Sequence, residues 1–171
     1  MRLRMIRLIL TLSLTLMLLS CGSELKSKKV TRDNTEMLYG KTTARQLYFD
    51  FPVWKEVYDL YTPDQQVENE LHKLARPMKV KIFFGTWCKD SRNNVPRFFK
   101  VIKGLDQFEV ELIAVDRGLD AENENADRYD IQRVPTFIFI EDGHEIGRII
   151  EHPVKSLEED TVNILKGDKD A

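Results

Sequence analysis

The stretch "FFGTWCKDSRNNVP", Phe83 to Pro96, decides how the chain is read. An apolar run ends at Gly85, and a tryptophan and a cysteine follow at once. Beyond them the apolar residues Val95, Phe98, Phe99 and Ile102 recur at helical spacing, and Gly104 ends the helix. This is a strand that turns sharply into a helix, with Cys88 at the turn. A sulfur at a helix start faces backbone N–H groups that have no partner inside the helix, and these favour its thiolate form. Three residues on, where a redox pair would have its second sulfur, stands Ser91.

The surrounding elements extend this reading. Lys79 to Phe84 is a short β-rich strand, and Glu109 to Val115 is a second one, nearly continuous in apolar character as a buried parallel strand is. Asp120 to Tyr129 is acidic and helix-prone. It is no calcium loop, because Asn125 stands where an EF-hand needs glycine. Thr136 to Ile140 is a third strand, Asp142-Gly143 a hairpin signal, and Glu145 to Ile150 the returning strand. Ser156-x-x-Glu159 is a capping box for a last helix through Lys166. The order β-α-β-α-β-β-α predicts an α/β three-layer sandwich, a central mixed sheet with helices on both faces.

Before this unit, residues 36–75 read as an N-terminal helical extension. Pro52 opens a helix that sets Val53, Val57 and Leu60 on one face. Pro63 and Asp64 open another, Gln65 to Ala75, with Val67, Leu71 and Leu74 on one face. The aromatic residues from Tyr39 to Tyr61 pack this extension on the core or form a substrate platform. Residues 21–35, polar and holding Lys26, Lys28 and Lys29, read as a tether. The domain proper is 76–171.

The first twenty residues are of another kind. Arg2, Arg4 and Arg7 precede an apolar run from Leu8 to Leu19, too short to span a bilayer. The run ends Leu18-Leu19-Ser20-Cys21, which resembles the lipobox of bacterial lipoproteins. The resemblance implies a signal peptide over 1–20, cleavage before Cys21 and acylation of the Cys21 thiol; an uncleaved signal anchor is the alternative. It places the protein in the bacterial cell envelope, lipid-anchored and facing the periplasm. Gly22 stands where enteric bacteria use aspartate for inner-membrane retention, which points to the outer membrane.

Composition narrows the function classes. The whole chain carries a net charge of −2. Without Arg2, Arg4 and Arg7 it has 23 basic against 28 acidic residues, and so no basic field for nucleic acid. With Cys21 acylated, Cys88 is the one free thiol, an unusual state for an exported protein. His72, His144 and His152 show no metal-ligand spacing, and no cofactor is expected.

The chain resembles the thioredoxin fold over roughly Arg76 to Lys166. "FFGTWCKDS" is similar to the turn that presents the WCxxC site. Pro96 matches the proline that kinks the active-site helix, and "VPTFIFI" resembles the segment holding the family's cis-proline, which would be Pro135. "GTWCxDS…VPRF" further resembles a single-cysteine branch of the family. The resemblance implies a catalytic Cys88 with Ser91 beside it, and a substrate groove at Trp87, Val134, Pro135 and Glu151. Glu151 falls where the family often has glycine, and its carboxylate would narrow or recharge the groove. Ile82 replaces the buried carboxylate that serves the second cysteine. Both parts of the two-cysteine resolving step are therefore absent. Two functional readings follow. One is monothiol exchange or thiol capture on exported proteins or low-molecular-weight thiols, with an external thiol closing the cycle. The other is a non-catalytic peptide-binding module on which Cys88 is a relic.

Overall fold

A computed structural model describes residues 27–32, 34–122 and 126–167. Cys21 and the signal segment lie outside them. The elements are β1 (Lys28–Arg32), β2 (Thr35–Thr42), α1 (Ala44–Asp50), α2 (Pro52–Leu60), α3 (Gln65–Leu74), β3 (Met78–Phe84), α4 (Lys89–Val101), β4 (Phe108–Ala114), a 3-10 helix (Ala126–Tyr129), β5 (Thr136–Glu141), β6 (His144–Ile150) and α5 (Leu157–Lys166). They form one six-stranded mixed sheet in the order β1-β2-β4-β3-β5-β6. β3 and β4 pair in parallel, joined by α4, and every other neighbouring pair is antiparallel.

The two faces of β3 explain the layers. Val80, Ile82 and Phe84 point into the larger core, with Leu47, Trp54, Leu71, Val95, Phe98 and Leu157 from the five α-helices. Phe83 points the other way, into a smaller core with Ile113, Val115, Ala126, Ile131, Val134 and Ile138. Here the 3-10 helix is the covering layer, with Tyr129 tilted on Phe83 at 5.3 Å between ring centres. The expected sandwich is present, with helices on both faces. Among its described residues the acidic segment 120–129 holds this short 3-10 turn and no α-helix. Asp116 explains part of the difference: its side chain accepts from the N–H groups of Gly118 and Asp120, and such local bonds compete with helix.

The N-terminal reading needs one correction. Within the tether expected over 21–35 lies strand β1, and the helical extension expected over 36–75 begins in strand β2 before its three helices, so the two segments share a β-hairpin. β1 and β2 pair from Lys28↔Tyr39 to Arg32↔Thr35, and β2 joins the sheet through Gly40↔Ala114. β1 reads KKVTR, with one apolar residue, so its pairing is a matter of backbone hydrogen bonds that hydrophobic periodicity cannot reveal. α2 shows which face of such a helix turns inward. It starts at Pro52 as expected, but its inward residue is Trp54, 1% exposed and set edge-on to Phe84 at 5.5 Å. Val53 and Leu60 face outward. A tryptophan buries far more apolar area than a valine or leucine, so it sets the rotation of the helix.

A buried carboxylate fastens these helices to the domain. Glu158, at the start of α5, accepts from the Tyr61 hydroxyl at 2.9 Å and from the Asp64 N–H at 3.0 Å. Burial and this bond both push the Tyr61 phenol up, so it stays a donor.

Trp54→Ala should therefore lower stability by about 3–5 kcal/mol in urea unfolding, as large-to-small core changes do. Leu60→Ala should stay within about 0.5 kcal/mol, as surface changes do. The reverse ranking would contradict the observed orientation of α2.

Candidate functional site

Strand β3 ends at Phe84, and the chain turns through Gly85, Thr86 and Trp87 into α4. The Cys88 N–H closes this turn onto the Gly85 carbonyl at 3.0 Å. Gly85 is required there, because a Cβ at this position would lie 2.5 Å from Cε2 of Trp87. The indole lies across the turn and donates from Nε1 to the Val115 carbonyl at 3.0 Å. Arg117 sets its guanidinium over the same ring, 5.0 Å from its centre.

Cys88 is the N-cap of α4. Its sulfur accepts from the Ser91 N–H at 3.5 Å, taking the place a capping oxygen usually holds. On its other side Sγ donates to the Val134 carbonyl at 3.2 Å. The thiol is half-buried. It therefore has a backbone donor and a backbone acceptor within reach.

Ser91 serves the site differently from a hydroxyl aimed at the thiolate. Its side chain is fully buried and accepts from the Gly85 N–H at 3.2 Å, which pins the loop. Its backbone N–H, not its hydroxyl, bonds the sulfur. Ile82 is fully buried in the larger core, so an apolar side chain occupies the strand position where the family places its carboxylate.

The Val134–Pro135 peptide bond is cis, and Val134 meets Cys88 directly. The structure also brings Glu151 to this place. It sits at φ +59°, a left-handed conformation that suits the glycine usual there. Its N–H donates to the Pro135 carbonyl, and its own carbonyl accepts from Asn94 of α4, both at 2.7 Å. Its carboxylate pairs with Arg133 at 2.7 Å, so the expected recharging of the groove is offset by an adjacent cation.

Sequence reasoning missed four contributors: Thr86, Asn94, Arg117 and Arg133. Thr86 accepts from the Leu38 N–H at 3.2 Å, which ties the N-terminal hairpin to the cysteine loop. Asn94 alone left a signal, as a poor helix former two residues before Pro96 inside α4. Among the described residues no group of three or more His, Cys, Asp or Glu side chains is placed to hold a metal ion.

Ser91→Ala should leave the Gly85 N–H without its acceptor and cost about 1–3 kcal/mol in urea unfolding. Ser91→Cys should form an internal disulfide under mild oxidant, read as a loss of two thiols on alkylation and mass measurement. An unchanged thiol count would contradict the placement of position 91 against Cys88.

The comparisons with known proteins agree with this geometry. A family model described as thioredoxin matches residues 50–162. A relative from rice, Oryza sativa subsp. japonica, called thioredoxin H5, is 28% identical over 102 residues, covering 58% of this chain and 73% of its own. The TPR repeat-containing thioredoxin TDX of Arabidopsis thaliana is 29% identical over 98 residues, which is 57% of this chain but 25% of that longer protein. Among solved structures, a Pseudomonas aeruginosa protein of unknown function superposes with a TM-score of 0.53 at 14% identity, covering 74% of this chain and 87% of its own, a likeness of fold alone. With the family model spanning more than half of its length, the chain belongs to the thioredoxin family.

Proposed function

We propose that the protein carries out monothiol exchange through Cys88. The observation that carries this reading is a half-exposed sulfur that caps α4 and touches the Val134 carbonyl beside the cis-proline. Thioredoxin-like proteins act on thiol or disulfide substrates, and this is the point of the fold where such a substrate would meet a nucleophile.

The chemistry runs in two steps. The Cys88 thiolate attacks one sulfur of a substrate disulfide; a Cys88–substrate disulfide forms, the substrate S–S bond breaks, and the second substrate sulfur leaves as a thiolate. An external thiolate then attacks the mixed disulfide, joins the substrate sulfur and returns Cys88 as thiolate. The electron count of Cys88 is unchanged over the cycle, which suits isomerisation, deglutathionylation or thiol capture. Ser91 cannot perform the second attack, so an external low-molecular-weight or protein thiol is part of the reading. A purely binding module remains the alternative, and the sulfur's position at the helix start argues against it.

Location belongs to the same proposal. The Leu18–Cys21 pattern supports acylation at Cys21 and a cell-envelope lipoprotein facing the periplasm, with exported thiol or disulfide proteins as partners.

Two measurements test these statements separately. Cells quenched in acid and blocked with an alkylating agent should yield mixed disulfides of the wild-type protein, resolved by non-reducing electrophoresis. These should vanish in Cys88→Ser and on adding a small thiol. An absence of mixed disulfides in the wild type would favour the binding module. For anchoring, Cys21→Ala should lose the diacylglyceryl mass and the partition into detergent; no change in either would refute the lipoprotein reading.

A further inference from the structure

The orientation of α2 leaves an apolar surface. Phe49 is 80% exposed, Val53 43% and Leu60 85%, and these are three of the five large hydrophobic side chains that the described residues expose. Scattered single exposures are ordinary, but these three fall within twelve residues, Phe49 and Val53 at the elbow where α1 meets α2 and Leu60 at the far end of α2. Val53 and Leu60 are seven apart in one helix and so lie on one stripe, with half-buried Val57 between them.

Where the chain enters the fold gives this surface an occupant. Lys29, the second residue of β1, sets its Nζ 3.8 Å from Asp50 and 5.7 Å from the centre of the Phe51 ring, so β1 begins at this same elbow. Cys21 precedes Ser27 by six residues. Even a fully extended chain of that length spans only about 20 Å. A lipid on Cys21 therefore holds the elbow, and not the far end of the domain, at the bilayer.

The charges beside it are balanced. Arg45, one turn before Phe49 on α1, is exposed. Lys29 meets Glu36 and Asp50, and Asp59 pairs with Lys55, which leaves Glu56 exposed on α2.

We propose that the α1–α2 elbow and the outer stripe of α2 form a membrane-docking face, with Phe49, Val53 and Leu60 inserted among lipid headgroups and Arg45 at the headgroup phosphates. This rests on the anchoring stated above, and it adds an orientation. The hairpin that carries the anchor also bonds Thr86, so the Cys88 loop is held near the bilayer and meets disulfides close to the membrane.

The test uses the full chain carrying Cys88→Ser, with a single environment-sensitive fluorophore on Phe49→Cys or, as a control, on Asp142→Cys at the β5–β6 turn. Each protein is reconstituted in phosphatidylethanolamine–phosphatidylglycerol vesicles that hold shallow nitroxide-bearing lipids, and its mass is measured. Quenching several-fold stronger at position 49 than at 142 is expected. A diacylated protein quenched equally weakly at both sites would overturn the docking face and leave the anchor standing. A protein with no acyl group would refute the anchor, and adding that same protein to vesicles from solution then decides the face: a blue shift at position 49 supports it, and no binding overturns it. A blue shift at position 49 without vesicles, with a doubled mass by light scattering, would assign the surface to a second copy of the chain and overturn the proposal.

Discussion

The bond on which the site depends is the one from the Ser91 N–H to the Cys88 sulfur. The first N–H groups of a helix need acceptors from outside it, and an oxygen-bearing side chain normally supplies one. Here a thiol does so. That single substitution of sulfur for oxygen places a thiol at the positive end of α4, at the C-terminal edge of the sheet, with its direction fixed by the backbone. The rest of the site keeps that geometry. Gly85 lets Trp87 fold across the turn, the Ser91 hydroxyl holds the Gly85 N–H, and Asn94, one turn further along α4, holds the segment that follows β6 through the Glu151 carbonyl. Helix, turn and cis-proline segment thus meet at one sulfur.

A second set of bonds reaches the same loop from outside the residues that the family model matches, which begin at 50. The β1–β2 hairpin bonds Thr86 through the Leu38 N–H. It also grips the turn after β4, through Arg32 on Asp116 and through the Tyr39 hydroxyl on Asp120 at 2.7 Å. That turn carries Val115 and Arg117, the two partners of the Trp87 ring. Both walls beside Cys88 are therefore braced by the N-terminal addition, which gives those residues a role in the site although they supply none of its chemistry.

The domain from Met78 onward was legible because its signals are strong and local. A buried apolar run marks β3, Asp142-Gly143 with positive φ at both residues marks the β5–β6 turn, and Ser156 caps α5 on the Glu159 N–H as the capping box requires. The cysteine, its helix and the proline segment followed from motif and order. The hairpin was not legible: β1 has one apolar residue in five, and its stability comes from pairing with a strand that only the fold brings beside it. The facing of α2 was not legible for a different reason. Val53, Val57 and Leu60 form a regular stripe, but one tryptophan outweighed three aliphatic residues. The interplay of Ser91, Gly85, Asn94 and Glu151 rests on contacts up to 57 residues apart, which leave no pattern in a single sequence.

The central claim is that the folded protein presents Cys88 as a thiol ready for exchange. The direct measurement is the rate at which the native protein reacts with a small aromatic disulfide near neutral pH, compared with the same protein unfolded in urea. The native thiol should react at least as fast as the unfolded one, in a single phase that scales with reagent concentration. A native reaction that is far slower, or that proceeds at the rate of unfolding whatever the reagent concentration, would show Cys88 to be a structural cap and contradict the account.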